Sequence, residues 1–215
     1  MTEKFIVVPL NQSIASVWML RPDYTGMRNI LEERGYTVKG PEIAQRPDLL
    51  AIKGTVEVFS SSERRTVGVR GLTSIRDLVD AYTELIKINF DSLGVDPENI
   101  LFHEFIGNFT VSNSVNPMNV LSKVNQKVDV IRKIGSVFGI EASAIGLNIV
   151  LKGSSPTSKR WFNISIEPFF VSYSKRYHIS IVYRDVLDSV TELVKHLENR
   201  LKQVVSKLEE EAQSN

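Results

Sequence analysis

Apolar residues along this chain recur with two different periods, one typical of helices and one typical of strands. Between residues 74 and 93 they return every three or four positions, which predicts an amphipathic helix with one buried face. Thr73 or Ser74 can cap this helix, and Asp77 falls in its first turn, where the helix dipole favours a carboxylate. The apolar stripe consists of Ile75, Leu78, Val79, Tyr82, Leu85 and Ile86.

Alternation of apolar and polar positions predicts a series of strands. The segments that show it are 49–59, 65–70, 100–111, 144–151, 161–172 and 177–183. Further helices are predicted at residues 23–35, after Asn116-Pro117 and at residues 185–210. This mixture of strands and helices indicates the α+β fold class.

The order of the predicted elements repeats in the second half of the chain. Val67 and Val69 align with Ile179 and Ile181, and the helical stripes that follow also align. We therefore expect two α/β repeats, residues 1–96 and 97–215, that form one pseudo-symmetric domain. Its curved antiparallel sheet would carry helices on one face and leave the other open. The alternative is coincidence, because any strand followed by an amphipathic helix aligns with another at some offset.

One local segment carries a family resemblance. Residues 56–74 read VEVFSSSERRTVGVRGLTS, and residues 169–176 read FFVSYSKR at the corresponding place in the second half. The first segment resembles the strand–turn–strand–helix part of the TATA-box-binding protein repeat, in which an apolar strand ends in Phe-Ser-Ser-Gly-Lys. The resemblance implies a saddle-like, internally repeated fold with a concave binding face.

The sequence also departs from that family at the positions that bind DNA. Members kink DNA with two Phe wedges per repeat, and no partner for Phe59 or Phe170 occurs near Ile43 or Gly153. The family's central Asn pair is replaced, since Ser13 or Phe105 stands near each expected position. The resemblance therefore implies the fold rather than TATA recognition.

Basic and aromatic residues occur together near the predicted strand ends. Basic side chains neutralise phosphates and aromatic faces stack on bases, so this mixture is typical of nucleic-acid contact. The alternative is ordinary strand and turn composition. The predicted nucleic-acid-binding residues are Phe59, Arg64, Arg65, Arg70, Phe170, Lys175, Arg176 and Tyr177. If they bind nucleic acid, the basic residues should cluster on the concave side of the sheet.

The last predicted helix carries a coiled-coil pattern. A helix over residues 185–210 would be about 39 Å long, which exceeds the width of a small sheet. We expect its first half to pack on the sheet and its second half to project toward a partner, a second copy of the chain. The predicted dimerisation residues are Leu197, Leu201, Val204 and Leu208. Packing entirely within the chain is the alternative.

Composition narrows the function classes. The chain has 215 residues, of which 42% are hydrophobic and 24% charged, and its formal net charge is +1. These values indicate an ordinary globular protein with no overall basic field to attract nucleic acid. There is no cysteine, which excludes disulfides and thiolate zinc sites and is compatible with a cytoplasmic location. No apolar run reaches the roughly 20 residues of a membrane span, so no membrane association is expected.

Motifs for catalysis, cofactors or metals are lacking in the sequence. The histidines are His103, His178 and His196, and none has zinc-ligand spacing. His103 and Glu104 would point to opposite faces of a strand and could not act as a pair. We therefore expect no catalytic residue, metal or cofactor. The hypothesis is a non-enzymatic binding or assembly protein that uses its open sheet face, with nucleic acid as one candidate partner. The alternatives are a protein-interaction scaffold and a small-molecule binder between sheet and helices.

Overall fold

The structure, a computed structural model, describes residues 5–112, 115–125, 136–137, 144–172 and 174–214. Its main feature is one antiparallel sheet of eight strands. The strands are β1 (Ile6–Trp18), β2 (Leu49–Lys53), β3 (Val56–Ser61), β4 (Thr66–Arg70), β5 (Ile100–Ser112), β6 (Leu147–Val150), β7 (Trp161–Pro168) and β8 (Arg176–Asp185). The predicted α+β class and open antiparallel sheet are confirmed.

The two longest strands form the centre of the sheet. The strand order is β2-β3-β4-β1-β5-β8-β7-β6, and β1 and β5 have 13 residues each. Counted outward from this central pair, the order is first, fourth, third and second strand of each half. Each half therefore contributes a contiguous four-stranded part of the sheet.

The helices follow the predicted pattern except that α2 was not predicted and the last helix is divided. They are α1 (Tyr24–Glu33), α2 (Pro41–Gln45), α3 (Ile75–Lys87), α4 (Pro117–Asn125), α5 (Leu187–Lys195) and α6 (Leu197–Gln213), and a π-helical turn, Ile88–Ser92, extends α3. Ser74 caps α3 by accepting a hydrogen bond from the Asp77 backbone N–H. The predicted helix at 185–210 is two helices, because His196 leaves helical geometry at φ −103° and ψ 7°. Phe170–Ser172 is a 3₁₀ turn rather than the end of a strand.

The core lies on one face of the sheet. Ile14 of β1, Phe105 of β5 and Ile179 of β8 are fully buried or nearly so, and they belong to one cluster with the apolar faces of the helices. This cluster includes residues from both halves of the chain. The opposite face of the sheet is covered by no described helix.

The C-terminal helix packs on the sheet along its length, which corrects the predicted dimer seam. Leu197 and Leu201 are buried in the core, and so are Val205 and Ala212 further along α6. α6 contacts the central strands β1 and β5 as well as α4. Its second half does not project, because an eight-stranded sheet is wide enough to cover its apolar stripe. Of the four predicted residues, only Val204 and Leu208 remain partly exposed.

Candidate binding site on the open sheet face

A pit in the open face is defined by one row of residues across five strands. The row runs from Phe59 of β3 through Gly68 of β4, Ala15 of β1 and Glu104 of β5 to Arg184 of β8. Directly opposed residues of antiparallel strands project from the same face. The middle of the row is therefore made by the two smallest side chains, and larger ones stand at both ends.

Within this row, position 68 has to be a glycine because β4 lies very close to β1 there. A Cβ on Gly68 would lie 2.5 Å from the Ile14 carbonyl oxygen and 2.6 Å from the Ala15 Cβ. These distances are too short for a real side chain, so only glycine lets β4 approach β1 this closely. The cavity at this row measures about 720 Å³, and Ala15, Phe102 and Ile106 are among the residues that line it.

Two phenylalanines form the walls of the pit, and each is covered by an arginine. The guanidinium carbon of Arg70 lies 5.1 Å from the ring centroid of Phe59. That of Arg184 lies 5.0 Å from the ring centroid of Phe102. Both are cation–π distances, so each arginine is held against an apolar wall.

Arg70 is neutralised by carboxylates at the rim. Its Nε donates to Glu57 Oε2 at 2.8 Å, and its Nη2 donates to Asp48 Oδ2 at 2.7 Å. Arg46 also donates to both oxygens of Glu57, at 2.6 and 2.7 Å. These hydrogen bonds, first that of Arg46 and then that of Arg70, lower the pKa of Glu57 to about 2. Glu57 is therefore ionised at neutral pH and fixes the position of both cations.

Arg184 is paired in the same way on the other side of the pit. Its Nε donates to Glu104 Oε2, and its Nη1 donates to the Pro156 carbonyl oxygen. Arg70 and Arg184, which cover the two walls, therefore both form ion pairs with carboxylates. Among the cations that line the pit, these two are thus compensated by carboxylates.

The predicted residues of the first half lie at or near this pit. Phe59 and Arg70 form its wall, and Arg64 in the β3–β4 turn lines it. Arg65 is exposed in the same turn and donates to the Met19 carbonyl oxygen. The residues that the sequence singled out in the first half thus lie together at one place on the open face, and their contact with nucleic acid stays a prediction.

The two predicted basic residues of the second half, Lys175 and Arg176, lie far from the pit, so the predicted cluster does not form. Lys175 and Arg176 are exposed at the β7–β8 turn, where Arg176 pairs with Ser112 at the end of β5. The β3–β4 turn instead lies beside the start of β5. The Trp18 backbone N–H donates to the Arg65 carbonyl oxygen in this turn, and Trp18 pairs with Ile100, the first residue of β5. A 13-residue strand spans on the order of 40 Å. The two turns therefore stand at opposite ends of the sheet.

Two aromatic residues of the predicted set have opposite environments. Phe170, in the β7–β8 turn, is 93% exposed. Tyr177 is fully buried on the helix side, where its hydroxyl donates to Glu209 Oε1 at 3.3 Å. Tyr177 cannot touch a ligand on the open face, so its assignment to the binding surface is corrected. The reason is strand alternation, since Tyr177 pairs with the buried Val111.

Asparagines do lie at the centre of the open face, although not where they were expected. Asn108 Nδ2 of β5 donates to Asn11 Oδ1 of β1 at 2.7 Å. A bulge between Pro9 and Asn11 sets this register. Of the two residues expected near these positions, Phe105 is buried in the core and Ser13 lines the pit.

His103 and Glu104 point to opposite faces of β5, as predicted. His103 is buried on the helix side, and its Nδ1 shares a hydrogen bond with the Tyr82 hydroxyl at 2.6 Å. Burial lowers the pKa of His103 to about 4. Glu104 faces the pit and pairs with Arg184. The two side chains do not form an acid–base pair.

No known protein-family model matches this sequence, and a comparison with curated protein sequences finds no match either. Among the described residues, no group of three or more His, Asp or Glu side chains is arranged to hold a metal ion. Within the same residues, none of the helices combines the length and apolar character needed to cross a membrane.

Proposed function

We propose that this chain is a non-enzymatic binding protein whose open sheet face docks another protein. The partner inserts an apolar side chain into the pit between Phe59 and Phe102. The observation that carries the proposal is the register row that sets Gly68 and Ala15 between larger residues. A small floor, aromatic walls and a polar rim are what a protein interface uses to hold a central anchor residue.

The charges of the pit favour a protein partner over nucleic acid. Nucleic-acid affinity comes largely from free Lys and Arg side chains that replace counterions on phosphates. Arg70 and Arg184 are instead bound to Glu57, Asp48 and Glu104. A phosphate would have to compete with these carboxylates, whereas an apolar anchor leaves the ion pairs intact.

The proposed fold relationship is an internally duplicated, TATA-binding-protein-like sheet. The mirrored strand order about β1 and β5 supports this hypothesis, as does the open face that lies opposite the helices. A cytoplasmic location remains a prediction that rests on the lack of cysteine.

Nucleic acid is the second candidate, and it rests on the β7–β8 turn. Phe170 is 93% exposed there, next to Val171 at 80%, and the basic Lys175 and Arg176 follow. An exposed aromatic ring beside two cations can stack on a base while the cations contact phosphates. This candidate uses the end of the sheet rather than the pit.

Selection from a phage-displayed library of random peptides tests the proposed function. We expect the chain to select peptides that share a bulky apolar residue. Ala15→Phe fills the pit and should weaken their binding at least about tenfold, equivalent to about 1.4 kcal/mol. Ser165→Phe, on the same face but outside the pit, is the matched control and should bind like the wild type. Thermal melts of both variants verify folding.

Phe59→Ala provides a second test that removes a wall instead of filling the pit. Peptide binding should weaken in this variant as well. Equal binding by wild type and Ala15→Phe would reject the pit as the docking site. A single-stranded DNA 20-mer serves as the competing probe. Tight DNA binding that falls steeply between about 50 and 200 mM salt, and that is lost in Lys175→Ala/Arg176→Ala, would favour the second candidate.

A further inference from the structure

The two edge strands of the sheet, β2 and β6, differ in how far the rest of the chain covers them. Along β2, Thr37 forms two backbone hydrogen bonds with Ile52, of 2.8 and 2.9 Å, and α1 and α2 pack beside the strand. Along the outer side of β6, the described part of the chain supplies no pairing strand. Proteins usually cover, charge or twist such an edge, because its free backbone groups can pair with another strand.

The backbone groups that β6 presents outward can be identified. The Leu151 N–H donates to the Phe162 carbonyl oxygen, so Leu151 bonds inward to β7. In an antiparallel pair this direction alternates, and therefore Asn148 and Val150 direct their N–H and C=O groups outward. Asn125 Nδ2 covers the beginning of this edge by donating to the carbonyls of Ala144 and Gly146. The outward groups of Asn148 and Val150 have no such partner in the described residues.

Two of the three exposed side chains of β6 are apolar, and the third is that of Asn148. Ile149 is 50% exposed and Val150 is 47% exposed. On the helix side, Ile149 borders a groove of about 750 Å³ that continues along Val204 and Leu208 of α6. An apolar strand with free backbone groups beside an apolar groove is typical of an interface rather than of a solvated edge.

We propose that a second copy of this chain pairs antiparallel with β6, so that the two sheets become continuous. Two-fold symmetry about Ile149 places it opposite Ile149 of the partner subunit. Asn148 then exchanges two backbone hydrogen bonds with Val150 of the partner subunit, and its own Val150 does the same with the partner's Asn148. In this arrangement the same segment of each copy supplies both sides of the interface and pairs the outward backbone groups of the other, as an isologous interface requires.

Charge and side-chain position agree with a second copy as the occupant. The formal net charge of +1 gives two copies little mutual repulsion. The facing isoleucines would extend the groove formed by Val204 and Leu208, the two predicted dimerisation residues that α6 leaves partly exposed. No β6 or α6 residue lines the pit of the open face, so this inference is independent of the proposed function.

Analytical ultracentrifugation of the full chain is the first test. We expect the wild type to sediment as a dimer. Val150→Pro removes an outward N–H, and Ile149→Lys places a charge at the two-fold axis. Each should raise the dimer dissociation constant at least about tenfold. Val171→Lys changes an exposed apolar residue in the β7–β8 turn and should remain dimeric.

A cysteine cross-link tests the register directly, because the chain contains no cysteine. Non-hydrogen-bonded pairs of antiparallel strands bring their side chains closest, within reach of a disulfide. Ile149→Cys should therefore form a reducible dimer under mild oxidation, whereas Lys53→Cys at the β2 edge should not. A monomeric wild type, equal cross-linking of both variants, or a dimer unaffected by Val150→Pro and Ile149→Lys would overturn the proposal.

Discussion

Neighbouring residues of one strand have very different environments in this protein. His103 is buried against Tyr82, while the next residue, Glu104, faces the open pit and binds Arg184. Alternation alone predicts that the two diverge. It does not predict what each one contacts, because Tyr82 belongs to a helix of the first half and Arg184 lies 80 residues further along the chain than Glu104. For a single residue, the side chain that it contacts therefore decides whether its polar group is held inside the structure or faces a ligand.

The buried His103 should make the stability of the protein depend on pH. Its pKa is lowered to about 4 in the folded state, against an ordinary value of 6.5. The unfolded chain therefore binds a proton first as the pH falls. This contribution to stability is complete above pH 6.5 and declines until about pH 4. Urea unfolding of wild type and His103→Gln at several pH values measures the effect.

The comparison of wild type with His103→Gln separates the effect of His103 from that of other titrating groups. Glu57, whose pKa is lowered to about 2, loses its stabilising effect at lower pH, between 4.5 and 2, in both of them. Between pH 6.5 and 4, the free energy of unfolding should therefore fall more steeply in the wild type than in His103→Gln. Parallel curves would contradict the assignment of a neutral, buried His103.

At the scale of elements, the C-terminal helices show why a heptad pattern is ambiguous. Leu197, Leu201 and Val205 form a stripe that packs on β1 and β5. The same 3,4 spacing would also suit a coiled coil, since both structures need one apolar side of a helix. The broad sheet provides enough apolar surface within the chain, so α6 is used as a core helix.

Shortening a side chain of this buried stripe should therefore lower the free energy of unfolding. Leu201 is almost completely buried, and Leu201→Ala should cost about 2–5 kcal/mol through lost contacts and a cavity. Gln203, which is exposed on the same helix, is the control, and Gln203→Ala should change stability by less than about 0.5 kcal/mol. Urea denaturation followed by circular dichroism measures both. Similar values for the two variants would indicate that α6 does not pack on the sheet.

At the scale of the whole molecule, the two halves share a single structure. β1 and β5 pair along most of their length, and one core cluster contains side chains from both halves. Division after residue 96 would expose the edge of β1 and the apolar side chains beneath it. The repeats are therefore expected to depend on each other for folding, whatever their origin.

The chain should consequently unfold in one cooperative transition. Near- and far-ultraviolet circular dichroism should report the same midpoint in urea, because most buried apolar residues of the described part of the chain belong to one core cluster. The fragment of residues 1–96 should lack the cooperative transition of the full chain, since it loses β5, which pairs with β1 along most of its length. A fragment that folds as a stable monomer would contradict this expectation.

The sequence by itself determined the periods of the helices and strands, the α+β class and the single open sheet. These properties follow from local propensity and from the need to bury one apolar face. It also singled out Phe59 and Arg70, which lie in β3 and β4 and line the pit of the open face.

Only the tertiary structure decided the register, and with it the site. Bulges between Pro9 and Asn11 and between Val17 and Trp18 shift β1 against β5, and a shift of one residue exchanges the two faces of a strand. The row from Phe59 to Arg184 therefore exists only once distant strands have paired. The pairing of Arg70 with Glu57 and Asp48, which turns a basic residue into a neutral wall, depends on the same long-range contacts.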